Sequence, residues 1–196
     1  MPALTISAGF SDAERSLAAR LYWQAFKGKL GPVMRPTARA LAFFETILDP
    51  RFALVARDDK GVLLGLAGFK TAEGALTGGS LGDLCRAYGW IGGTWRGLVL
   101  SVLERDLAAD TLLMDGIFVS EAARGQGVGT ALLSAIKDEA RARGLSCVRL
   151  DVIDTNSRAR ALYEREGFVA CGTEDTGPFR YIFGFKTSTK MVYRLP

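Results

Sequence analysis

The chain contains no histidine. Without an imidazole, a Ser-His-Asp or Cys-His nucleophile is excluded and the commonest metal ligand is missing, so proton transfer falls to carboxylates, tyrosines, lysines, cysteines or water. Cysteine is scarce as well. Cys85, Cys147 and Cys171 are odd in number and form no Cys-x-x-Cys pair, which argues against a disulfide framework and a zinc site and points to a reducing cytoplasm. No apolar run approaches the length needed to span a bilayer. The opening Met1-Pro2-Ala3-Leu4-Thr5-Ile6 has no basic region followed by an apolar stretch, so neither membrane insertion nor export is expected. Charge of one sign is nowhere concentrated: the formal net charge is +4, but basic residues are scattered among acids, the pattern of a mixed solvated surface and not of a nucleic-acid partner. The P-loop ending Gly-Lys-Ser/Thr is also missing, since Gly28-Lys29 is followed by Leu30.

What is present suits one enzyme domain with an insertion. At 196 residues, 48% hydrophobic and 23% charged, the chain is long enough to bury a full core. Leu4 to Ala8 reads as a strand, and Ser11-Asp12-Ala13-Glu14 as a capping box that opens a helix. Leu17, Ala18, Leu21, Tyr22, Ala25 and Phe26 give that helix an apolar stripe, and Gly28, Gly31 and Pro32 predict its end. A second helix is predicted from Thr37 to Leu48, and a hairpin from Phe52–Arg57 and Val62–Phe69 across Asp58 to Gly61. From Gly74 to Gly97 there are eight glycines interleaved with Tyr88, Trp90 and Trp95, before an apolar stretch from Leu98 to Leu103. Two readings fit this insertion, at about residues 73–109: a pair of helices packed closely through small residues, or a lid whose aromatics line an acceptor pocket.

The most informative segment runs from an apolar strand, Leu112 to Val119, into the turn Arg124-Gly125-Gln126-Gly127-Val128-Gly129-Thr130 and then a helix. Successive glycines let a backbone approach an anion, and the first turn of the helix offers unpaired N–H groups at the positive end of its dipole. A dinucleotide fingerprint read from Gly125 continues with Gly127 but meets Thr130 where a third glycine or alanine is wanted. The helix should run from about Gly127 to Arg143, with Leu132, Leu133, Ile136 and Ala140 on one side and Gly144 as its C-terminal cap. A second strand, Cys147 to Val152, alternates inward Val148, Leu150 and Val152 with Arg149 and Asp151, and Asn156 stands where it can cap the next helix. Phe168 to Cys171 and Met191 to Leu195 read as closing strands joined by an aromatic connection, Gly177 to Gly184.

Arg124, Gly127 and Gly129 fill an Arg-x-x-Gly-x-Gly pattern, and about thirty residues later Asn156, Ala159, Leu162, Tyr163, Gly167 and Phe168 fill Asn-x-x-Ala-x-x-Leu-Tyr-x-x-x-Gly-Phe. Over roughly Thr111 to Thr173 the chain therefore resembles the GNAT superfamily of N-acetyltransferases. The resemblance implies an α/β (α+β) acyl-CoA N-acyltransferase fold: a mixed, mostly antiparallel central sheet flanked by helices, here with a helical insertion. It implies transfer of an acetyl group from acetyl-CoA, without a metal, directly to a primary amine that is a small molecule or a peptide. Many members of the family are dimers, so a homodimer is a natural expectation.

For the coenzyme, the resemblance implies pyrophosphate contacts from the backbone around Gln126, Gly127, Gly129 and Thr130, with Arg124 and Gly125 shaping the turn. Backbone groups of Ile117 and Val119 would pair with the pantetheine arm at a splay between this strand and the Cys147 strand. Asn156 would approach from the other side, as a coenzyme contact, a helix cap or both. Tyr163 is the candidate acid for the departing sulfur, since a phenol can hydrogen-bond a developing thiolate; the alternative is a packing tyrosine. Asp115 is the candidate base, with an N-cap or salt-bridge role as its alternative, and Asp151 and Glu45 are weaker candidates. With no histidine to activate them, Cys147 and Cys85 are disfavoured as acyl carriers. A noncatalytic acyl-CoA binding or sensing module would keep Arg124 to Thr130 and not need Tyr163.

Overall fold

The computed structural model describes residues 4–101 and 106–196. The chain opens with β1 (Thr5–Ala8), a 3-10 turn at Asp12–Glu14, α1 (Arg15–Met34) and α2 (Thr37–Ile47). Then come β2 (Ala53–Arg57), β3 (Leu63–Thr71), the two-residue β4 (Gly74–Ala75), α3 (Leu81–Tyr88) and α4 (Trp90–Ser101). The remaining elements are β5 (Thr111–Val119), α5 (Val128–Ala142), β6 (Cys147–Ile153), α6 (Ser157–Arg165), β7 (Val169–Asp175), α7 (Arg180–Phe183) and β8 (Thr187–Arg194). Eight strands form one sheet in the order β1-β2-β3-β5-β6-β8-β7, with β4 paired to β3. This is the mixed, mostly antiparallel sheet flanked by helices expected above. The end of the predicted apolar stretch, Val102 and Leu103, lies outside the described residues.

The β5–β6 pair is parallel and short: Thr111, Leu112 and Leu113 face Cys147, Val148 and Arg149. Beyond that point β5 stays on β3 as far as Val119, and β6 stays on β8 as far as Ile153. The two halves of the sheet part like a V, and the ladder groups that β5 and β6 no longer exchange face the gap. On the other side of β5 the register steps from Phe69↔Met114 to Gly68↔Gly116, so Asp115 stands at a bulge, a local kink that re-aims a side chain.

α5 packs on β2, β3, β5 and β6. Its stripe is the predicted one, with Leu132, Leu133, Ile136 and Ala140 all fully buried. Lys137 shares that buried surface: its ammonium donates to the Glu166 carbonyl at 2.7 Å and lies 4.4 Å from the Tyr193 ring, anchoring α5 to the end of α6.

α1 is longer than the sequence predicts. It runs through Gly28, Gly31 and Pro32 to Met34, and burial of Leu30, Val33 and Met34 offsets the propensity cost of those residues. The helix ends instead at Arg35, extended because Pro36 follows it. The insertion adopts the helix-pair reading. Gly93 lies so close to α3 that a Cβ there would come within 2.5 Å of the Cys85 Cα, a backbone clash that no side-chain movement relieves. Arg96 docks the pair on α1, donating to the carbonyls of Val33 (2.8 Å) and Arg35 (3.2 Å) while its guanidinium lies 4.1 Å from the Tyr88 ring centre. A cation at the C-terminal end of α1 also suits that helix's dipole.

Candidate active site

Three cavities adjoin one another in series. The first, about 610 Å³, is lined by Ile117, Val119, Arg124, Gly125, Gly127, Gly129, Thr130 and Asn156, with Leu21 and Gln24 from α1 and Arg158, Leu162 and Arg165 from α6. Gly125 and Gly127 hold φ of 81° and 82°, left-handed values that any Cβ would strain, and Gly127 precedes α5 with no side chain capping the helix. The amides of the first α5 turn are therefore open to an anion. A Cβ on Gly129 would sit 3.2 Å from Leu162 Cδ2, so glycine there sets how closely α5 approaches α6.

Of the residues singled out for the coenzyme, Gln126 alone does not line this cleft. Its side-chain amide turns back to the Ala122 carbonyl at 2.8 Å and holds the turn from behind. Arg124 lies 3.7 Å from Glu121 at the cleft margin. The side-chain oxygen of Asn156 accepts from the Ala159 amide at 3.2 Å, the cap predicted above, which leaves the amide nitrogen as a donor.

The second cavity, about 450 Å³, shares Ile117, Phe118, Asn156 and Ala159 with the first. It brings together Tyr163 from α6, Asp115 from the β5 bulge and Asp151 from β6, with Phe183 and Phe185 of the aromatic connection. Tyr163 is buried, its ring 5.9 Å from that of Phe168, and burial pushes its phenol up to about 12. Asp151 accepts from Arg149 at 3.2 Å. Glu45 lines none of the three cavities and accepts from the Ser16 hydroxyl at 2.8 Å, a contact that joins α1 to α2.

The third cavity, about 710 Å³, meets the second at Phe26, Lys29 and Asp115. Its walls come from α1, α2, α3 and α4: Leu30, Met34, Phe43, Phe44, Leu84 and Leu98 are among them. The aromatics of the insertion do not line it. Trp90 is 84% exposed, and Tyr88 is buried with its hydroxyl donating to the Met34 carbonyl at 2.7 Å, so the aromatic part of this wall comes from Phe26, Phe43 and Phe44 of α1 and α2 and not from the insertion. None of Cys85, Cys147 and Cys171 lines any of the three cavities.

Leu21, Gln24 and Ala25 were not legible as site residues, because only the tertiary fold lays α1 across the turn. Arg158 and Arg165 left a trace: residues seven apart on a helix share a face.

The family model described as the acetyltransferase (GNAT) family matches residues 17–168. Among solved structures, a GCN5-related N-acetyltransferase from Kribbella flavida is 19% identical, with a TM-score of 0.66 and 98% of each chain covered. An N-acetyltransferase from Staphylococcus aureus Mu50 is 14% identical, with a TM-score of 0.68, over 96% of this chain and all of that one. A putative acetyltransferase from Salmonella typhimurium, solved with its cofactor acetyl-CoA, is 19% identical at a TM-score of 0.61, over 99% and 95% of the two chains. Comparison with curated protein sequences gives no match. The chain belongs to the acetyltransferase (GNAT) family, and its chemistry is acetyl transfer.

Proposed function

We propose that the three cavities form one reaction path in which acetyl-CoA and an amine meet at Asp115 and Tyr163. The observation that carries this reading is continuity: the cleft behind the glycine turn opens, through Ile117, Phe118, Asn156 and Ala159, into the cavity that holds both candidate catalytic side chains. When bound, acetyl-CoA supplies the activated acetyl group as a thioester. Amides at Gly127, Gly129 and Thr130 hold the pyrophosphate, with Arg124 and Gly125 shaping the turn and Gln126 bracing it. Backbone groups of Ile117 and Val119 hold the arm in the gap of the V, and the free amide of Asn156 faces it from α6.

Direct transfer forms a nitrogen–carbon bond as the carbon–sulfur bond breaks. Asp115 accepts the proton that the amine loses, and Tyr163 presents its own to the departing sulfur. A phenol near 12 keeps that proton at neutral pH. Surrendering it fully to a thiolate of ordinary pKa near 8.5 runs uphill by roughly 5 kcal/mol, so Tyr163 serves as a hydrogen-bond donor to developing charge, and the amine's proton completes the balance. The absence of cysteine from the cavities supports a mechanism without an acyl-enzyme. The three free thiols support a reducing, cytoplasmic setting, and no helix among the described residues is long and apolar enough to cross a membrane.

The test is thiol release from acetyl-CoA with a panel of amines. Tyr163→Phe should lower kcat about 10- to 150-fold, the loss of one hydrogen bond to a charged group, while KM for acetyl-CoA stays within twofold. An unchanged kcat would remove Tyr163 from the chemistry. Coenzyme binding without turnover of any amine would favour the sensing module.

A further inference from the structure

We propose that the acceptor is a small amine carrying both an apolar body and an acidic group, with the body in the chamber between α1, α2, α3 and α4 and the acid on Lys70. The inference rests on the reaction path above and names the substrate class at its far end.

Of the three cavities, the one with Tyr163 adjoins both others, and Asp115 stands at its border with the chamber. An amine that reacts at Asp115 must place the rest of its body on one side of that border. On the coenzyme side the space is smaller, about 450 Å³, and the acyl end of the coenzyme would take part of it. Of its acidic lining, Asp151 accepts from Arg149 at 3.2 Å, and Asp175 accepts from the Gly177 amide at 2.6 Å. On the other side lies the chamber of about 710 Å³, within the size range of small-ligand sites. Glycine or a short polyamine would leave most of it as water against Phe26, Leu30, Phe43, Phe44 and Leu84, whereas an aromatic or branched apolar group would displace that water.

The charged groups lining the chamber are Asp115, Lys29 and Lys70. Lys70 is the residue of β3 that pairs with Leu113 of β5, and Leu113 is two residues from Asp115, so the two charged side chains come from neighbouring strands and line one cavity. Lys29 lies at the border with Asp115, its ammonium 5.3 Å from the Phe185 ring centre in the neighbouring cavity. Among the described residues no carboxylate pairs with Lys70. Lys70 is half-buried, and a ligand's acidic group would give its ammonium a charge-assisted partner. Amine at Asp115, acid at Lys70 and apolar body between the helices together describe an amino acid with a large apolar side chain.

The experiment measures kcat/KM by thiol release for matched amines: phenylalanine against phenethylamine, tryptophan against tryptamine, with alanine and spermidine as contrasts. Phenylalanine and tryptophan should exceed their acid-free partners and alanine by at least tenfold. Lys70→Met should shrink the phenylalanine-to-phenethylamine ratio at least tenfold, and Lys70→Arg should restore most of it. A preference for spermidine, equal use of acidic and acid-free amines, or a ratio untouched by Lys70→Met would overturn the proposal. If acetyl-CoA binds, shown by a thermal shift, but no amine in this set is turned over, the substrate class falls while the coenzyme assignment stands. If acetyl-CoA itself fails to bind, both fall.

Discussion

Glu14 uses both oxygens of its carboxylate. One accepts from the Ser11 amide (2.8 Å) and hydroxyl (2.9 Å) and from Arg57 Nη2 (2.8 Å), and the other accepts from Arg57 Nε (2.8 Å). The capping box at Ser11 to Glu14 was legible because its spacing is local. Its partner Arg57, forty-three residues away, was not. The Arg57 guanidinium holds the Glu14 carboxyl down at about 2, well below its ordinary 4.5. A depressed folded-state pKa contributes stability that is complete above the ordinary value and is lost as pH falls through the folded one. Glu14→Gln should therefore cost about 1–3 kcal/mol at pH 7, less than the full shift implies because both side chains keep about a fifth of their surface in water. The difference from the parent should close between pH 4.5 and pH 2. Urea titrations across that range check it, and curves that stay parallel would contradict it. Tyr163 shifts the other way: with its phenol near 12, the donor role proposed for it would persist across the working range, so loss of activity at moderately alkaline pH would have to come from another group.

At the scale of elements, amphipathic helices with local caps read well from sequence, and α1 did not. Its end was misplaced because Pro32 breaks an isolated helix but is tolerated where three following-turn and preceding-turn apolar residues, Leu30, Val33 and Met34, are buried by other elements. The α3–α4 pair shows the reverse case, glycine richness that signals contact. Gly93→Val would drive a branched side chain into the α3 backbone at Cys85 and separate the helices that wall the third cavity. We expect a loss of about 1–3 kcal/mol, with KM for the amine raised more than KM for acetyl-CoA, because the cleft proposed for the coenzyme uses neither helix. Thermal denaturation and steady-state kinetics on one preparation separate the two effects. Equal changes in both KM values would mean that the helix pair serves general stability alone.

For the whole molecule, the site is a consequence of how the sheet parts. Coenzyme bound in the gap would contact β5, α5 and α6 together and bind only the folded chain. At about one hundred times its Kd, acetyl-CoA should add about 2.7 kcal/mol, a rise of about 5–10 °C in Tm for a chain of this size. A shift absent at saturating concentration would argue against the cleft as its site. The sequence by itself determined the glycine turn from Arg124 to Thr130, the α5 stripe, the Asn156 cap and the motif that carries Tyr163, because each depends on residues within a turn or two of one another. The tertiary structure alone decided that the sheet opens after Leu113, that a bulge stands at Asp115, that α1 roofs the turn and that Lys70 shares a chamber with Asp115. Those depend on strand register and on packing between segments far apart in the chain, and the period of side chains along any one segment carries no record of either.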